Sequence, residues 1–106
     1  MHSALHPSQE INHVELAILS KWLIQETWFS INQVLKQRLS NQQITLDKKG
    51  KLEKMYSDFY RQAFNTPVFI KADVHRVLQD ARKMLSMLKD LDENAWITFM
   101  LRHRLV

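Results

Sequence analysis

"LAILSKWLIQETWFSI", residues 16–31, is apolar in a way that one-sided helices are not. Turned at 100° per residue, the segment around it sorts into three apolar stripes. Ile11, Val14, Ile18, Trp22 and Phe29 form the first. Ala17, Ile24, Trp28, Ile31 and Leu35 form the second, and Leu16, Leu19, Leu23 and Val34 the third. Only a narrow strip with Glu15, Glu26 and Gln33 stays polar. A helix apolar nearly all round is normally buried on most sides. Lys21, Gln25 and Glu26 interrupt it well short of the roughly 20 apolar residues a membrane span needs. The expectation is therefore a central helix wrapped by neighbours.

The neighbours are visible on either side. With no Gly or Pro between Ser8 and Leu39, a helix starting at Ser8-Gln9-Glu10 can run to about Leu39, as one rod or as two pieces joined near Glu26 and Thr27. The polar run Ser40 to Gln43 ends it. A second helix is expected from Thr45 or Asp47 to Phe64, stopped by Asn65, Thr66 and Pro67. It carries Leu52, Met55, Tyr56, Phe59, Tyr60 and Ala63 on one arc. A third runs from Ala72 or Asp73 to Leu91, with Val74, Val77, Leu78, Ala81, Met84, Leu85, Leu88 and Leu91 within an arc of about 140°. Asp92 is a natural N-cap for a fourth, with Glu93 in its first turn and an end near Arg104.

Length and composition agree. A chain of 106 residues with 45% hydrophobic and 25% charged residues, one Gly and two Pro is a single helical domain. The fold class expected is all-α: one bundle of about four helices over residues 8–106, built round the apolar first helix, with residues 1–7 as a flexible lead-in. The absence of Cys rules out disulfides and thiolate sites, and the N-terminus has no signal-peptide pattern, so a cytoplasmic setting is expected.

Little chemistry is written here. Gly50 is the lone glycine, so no phosphate-cradling loop exists. Ser40, Ser57 and Ser86 lack the strained, glycine-flanked turn of a nucleophile. Glu10 and His13 have the Glu-x-x-His spacing of di-iron bundles, but no second pair exists to complete a site, and His2 with His6 belong to the lead-in. The expectation is a non-catalytic protein with no cofactor, no metal site and no small-molecule substrate.

Binding is the remaining class. Helices two to four offer apolar arcs for about two of the three stripes, and a leftover stripe in water is the mark of an association site. This points to a small protein–protein interaction module, a regulator, adaptor, inhibitor or subunit of a larger assembly, self-associating as a homodimer. Its contact residues are expected among Trp22, Ile24, Trp28, Phe29, Ile31, Trp96 and Phe99. The tail "NAWITFMLRHRLV" reads either as the lid of the bundle or as a docking element, with Trp96, Phe99, Met100 and His103 on one face.

The alternative is a nucleic-acid-binding accessory protein. The net charge of +4 lies wholly beyond residue 44. Lys48, Lys49, Lys51 and Lys54 crowd the second helix, the rail His75, Arg82, Lys89 with Arg76 and Lys83 follows the third, and Arg102 and Arg104 flank the tail. Basic side chains on one helix face are the footprint a phosphate backbone requires. Asp47, Glu53, Asp80 and Asp90 interleave with them, however, and no groove-reading motif accompanies them.

Overall fold

The computed structural model describes residues 12–106. Four helices account for nearly all of them: α1 His13–Ser40, α2 Leu46–Phe64, α3 Lys71–Leu91 and α4 Glu93–Arg102, with no strand among the described residues. The protein is an all-α bundle. The second, third and fourth helices lie within two residues of the expected bounds. The start of the first does not. Asn12 is extended and its Oδ1 accepts from the Val14 amide at 2.7 Å, so the helix begins at His13. Ser8, Ile11, the lead-in 1–7 and the Glu10 half of the Glu10–His13 pair lie outside the described residues.

α1 is a single rod of 28 residues, about 42 Å long. No break occurs at Glu26 and Thr27. Buried Thr27 donates its hydroxyl to the Leu23 carbonyl at 2.7 Å, one turn back, and so needs no other partner. The ends of α1 and α4 turn without glycine. Gln42 and Arg104 occupy the left-handed region, at φ 60° and 55°. Each closes a Schellman turn: the Gln43 amide reaches the Arg38 carbonyl at 2.7 Å, and the Leu105 amide reaches that of Met100 at 2.8 Å.

Polar side chains fix how the rods lie. Arg38, near the end of α1, donates to the Leu91 carbonyl that ends α3 and to Asp92, so α1 and α3 run parallel. Lys21 donates to the Thr66 carbonyl at 2.8 Å, just past α2, which runs the opposite way. A single residue, Asp92, joins α3 to α4, and its Oδ1 caps α4 through the Ala95 amide at 3.0 Å. α4 then returns along α1, bringing Ala95 and Phe99 beside Val34 and the His103 ring against Trp22.

The core forms where the arcs meet. From α1 it takes Ile24, Ile31, Val34 and Leu35; from α2, Tyr56 and Ala63; from α3, Val77, Ala81, Met84 and Leu88; from α4, Phe99. The second stripe of α1 therefore faces inward and is covered by this chain's own helices. Burial of such side chains contributes about 1.5–3 kcal/mol each, the main favourable term of the fold. Met55, expected on the inner arc of α2, is half exposed instead.

Candidate docking surface

The apolar residues left in water gather on α1. Val14, Ile18, Trp22 and Phe29 stand away from the core, so among the described residues the first stripe is the least covered of the three. Ile18 is 62% exposed, Trp22 43% and Phe29 46%. Beyond Phe29 the same side turns polar at Asn32, Gln33 and Lys36. Exposed Leu19 carries the apolar surface round α1 toward α3 and the C-terminal tail. There Leu16, Leu19, Ser20, Trp22 and Leu23 of α1, Leu78 of α3 and Leu105 of the tail line an apolar groove of about 220 Å³. Arg104 in its left-handed turn aims Leu105 back onto the bundle, and His103 holds the neighbouring rim, its ring edge-on to Trp22 at 5.1 Å and against Phe99 at 4.4 Å.

A second exposed apolar feature stands at the same end. Phe69 and Ile70, in the connection from α2 to α3, are 87% and 64% exposed. They are held rather than loose. Ile70 has no side-chain acceptor to cap α3, so the Asp73 carboxylate serves, accepting from the amides of Phe69 at 2.9 Å and Ile70 at 3.1 Å. Those two amide bonds, aided by Arg76 at 3.5 Å, hold the Asp73 carboxyl below the usual carboxylate range. Lys21 ties down the start of the connection at Thr66 and lies over the Phe64 ring at 5.9 Å.

Of the seven expected apolar contact residues, the structure leaves two on this surface, Trp22 and Phe29. Ile24, Ile31 and Phe99 are corrected: they are essentially inaccessible inside the chain's own core. Trp28 is half-buried, stacked on Tyr60 at 4.3 Å and 9°, with its indole N–H buried and without a partner. Trp96 is half-buried with the Lys89 ammonium 4.6 Å from its ring centre. The C-terminal helix thus closes the bundle through Phe99, while its outer residues Ile97 and Leu101 stay exposed. Phe69, Ile70, Leu78 and Leu105 were not foreseen. Their signals are short: an apolar Val-Phe-Ile run between Pro67 and the helix start, and a tail leucine after the last helical turn.

Many of the basic residues are paired with carboxylates. Lys51 pairs with Asp47 at 3.2 Å, Lys49 with Glu53 at 3.1 Å, and Lys54 and Arg61 both with Asp58, at 3.0 and 2.7 Å. Those two cations hold the Asp58 carboxyl low. Arg76 pairs with Asp73, and Lys83 lies 4.9 Å over Phe59. Lys48, Arg82, Arg102 and Arg104 make no ion pair among the described residues. Paired ammonium groups have less to gain from a phosphate, because the carboxylate beside each would have to be accommodated as well.

No helix of the described residues is long and apolar enough to cross a membrane. A polar groove of about 540 Å³ between α1 and α4, lined by Ser30, Gln33, Gln37, Thr98 and Arg102 over Val34 and Phe99, is the other concavity of note. No protein-family model matches the chain, and neither a curated protein nor a solved structure matches it significantly.

Proposed function

We propose that this chain is a small non-catalytic interaction module that self-associates through the outward face of α1. One observation carries the reading: a line of large apolar side chains, Val14, Ile18, Trp22 and Phe29, lies on the side of α1 away from the core and stays 43–63% exposed, with the His103 ring against the edge of Trp22. The spacing supports a helical partner. Ile18, Trp22, Gln25 and Phe29 follow one another by four, three and four residues, the pattern that presents a straight seam to a second helix. Size supports it too. Val14, Ile18, Leu19, Trp22 and Phe29, each about half exposed, amount to roughly 500 Å² on a scale of 150–250 Å² for a large side chain. With their polar neighbours this approaches the ~800 Å² per partner of a standard interface. A monomer leaving that surface in water forgoes the corresponding burial.

The test is mass. Light scattering at micromolar concentration is expected to give twice the 12.7 kDa of the chain, and Ile18→Glu or Trp22→Glu to give the single mass with helicity unchanged. A wild type of single mass at every concentration, with no partner retained by the α1 face, refutes the reading.

A further inference from the structure

We infer that the outward face of α3 is a docking surface for a phosphodiester backbone, binding nucleic acid without reading its sequence. The inference is independent of the self-association proposed above, because it uses another helix. Val74, Val77, Ala81, Met84 and Leu88 turn one side of α3 into the core. At 100° per residue, Lys71, His75, Gln79, Arg82, Ser86 and Lys89 fall within about 40° of one line on the side away from them. All six are exposed. The line runs about 27 Å along the helix.

The line differs from the other basic groups in having no carboxylate of its own helix within it. Asp73 is committed to the amides of Phe69 and Ile70 and to Arg76. Asp80 is half-buried off the line, under the pull of Lys83 and Arg76, and Asp90 stands about 60° away, close enough to Tyr56 of α2 to bear on its hydroxyl. Lys71, Arg82 and Lys89 make no ion pair among the described residues, whereas Lys49, Lys51, Lys54 and Arg61 of α2 all sit on carboxylates. Lys89 lies 4.6 Å from the centre of the Trp96 ring, a contact that holds the ammonium without cancelling its charge. Ammonium, guanidinium, amide and hydroxyl groups are the donors that phosphate oxygens accept from, and such contacts fix a backbone without reading bases. Gln79 and Ser86 supply neutral donors in the gaps between the charges. A duplex carries one phosphate charge per about 1.7 Å of its axis, so its anions repeat along the whole of the line. No apolar side chain lies in the line to be buried in a bilayer, which favours this occupant over a lipid surface.

The experiment is fluorescence anisotropy of a labelled mixed-sequence DNA duplex of about 20 base pairs with the full chain, at salt from about 50 to 200 mM. Wild type is expected to bind with a dissociation constant of about 1–100 µM, and log K to fall against log salt with a slope of about −2.7, the release of counterions from three contacts. Lys71→Gln, Arg82→Gln and Lys89→Gln combined are expected to remove nearly all of that slope and at least about tenfold in affinity. Lys51→Gln, Lys54→Gln and Arg61→Gln combined lower the net charge equally but take away paired cations, and should keep the slope and bind within about threefold of wild type. Circular dichroism checks that both variants keep the wild-type helicity. Equal losses in the two triple variants would assign binding to net charge and overturn the α3 face. Absence of wild-type binding at about 50 mM salt overturns it outright, whether the chain is a monomer or a dimer. Polyglutamate, or phosphatidylserine-containing vesicles, bound as tightly as the duplex and lost in the α3 variant would overturn the phosphodiester assignment in favour of an acidic protein or a lipid surface.

Discussion

Ile18 and Ile24 stand six residues apart on one helix and face opposite ways, so the same truncation at each position separates the core from the docking surface. Ile24 is inaccessible to solvent and packed within the core cluster. Ile24→Ala removes three buried carbons and leaves a cavity, at a cost of about 2–5 kcal/mol. For a chain of this length each kcal/mol lowers Tm by about 4–8 °C, so the variant melts at least ~8 °C lower. Ile18 is 62% exposed. Ile18→Ala should leave the monomer's stability within about 0.5 kcal/mol. Its exposed fraction, set against about 1.5–3 kcal/mol for complete burial, contributes about 1–2 kcal/mol when a second copy covers it. Symmetry counts that twice, and about 2–4 kcal/mol is a weakening of the dimer by roughly 30- to 700-fold. Thermal melts below the dimer dissociation constant, paired with sedimentation equilibrium, read the two quantities apart. Comparable loss of monomer stability in both variants would show that the Ile18 face is packed within the chain, and would refute the argument for α1 as the interface.

Three other outcomes follow from the geometry. Gln42 holds a left-handed conformation that costs a side-chain-bearing residue about 1–2 kcal/mol, so Gln42→Gly should stabilise the chain by up to about 1 kcal/mol in urea titration, after glycine's own entropy is set against it. Arg38 joins the end of α1 to the α3–α4 junction, and Arg38→Ala should cost about 1–2 kcal/mol, fraying α4 first in hydrogen exchange, since the pair is partly exposed. Burial raises the pKa of the Asp80 carboxyl, against the pull of Lys83 and Arg76. A carboxyl whose folded pKa is raised contributes stability below its unfolded pKa and loses it as pH rises through the folded value. Asp80→Asn, which cannot ionise, should therefore melt slightly above wild type at pH 7 and lose that advantage below the carboxylate range.

Local patterns carried the helices. α3 was legible because its apolar residues keep to one arc and the rest of its surface is charged, and α4 because Asp92 has both the side chain and the position of a cap. The described rod of α1 starts at Asn12, whose short amide side chain caps it, while the start expected at Ser8 lies outside the described residues. The docking surface was half legible. Trp22 and Phe29 were identified from the excess of apolar residues on α1, but Ile24, Ile31 and Phe99 come from the same excess and went to the core. Phe69 was missed because a three-residue apolar run in a connection has no periodicity from which to read its direction.

By itself the sequence determined that α1 is apolar nearly all round, that three amphipathic elements accompany it, and where each of them ends. These properties follow from the order of side chains along a rod with fixed periodicity. Only the tertiary structure decided which stripe goes inward. All three are apolar enough to be buried, and the choice depends on where α2 and α3 can lie at once, given connections of a few residues, the Arg38 link to Leu91 and the Lys21 link to Thr66. Those contacts join residues 45 and 53 positions apart. They turned Ile24 and Ile31 to the core, left Ile18, Trp22 and Phe29 outside, and brought Leu78 and Leu105, far apart in the chain, into one groove beside Trp22.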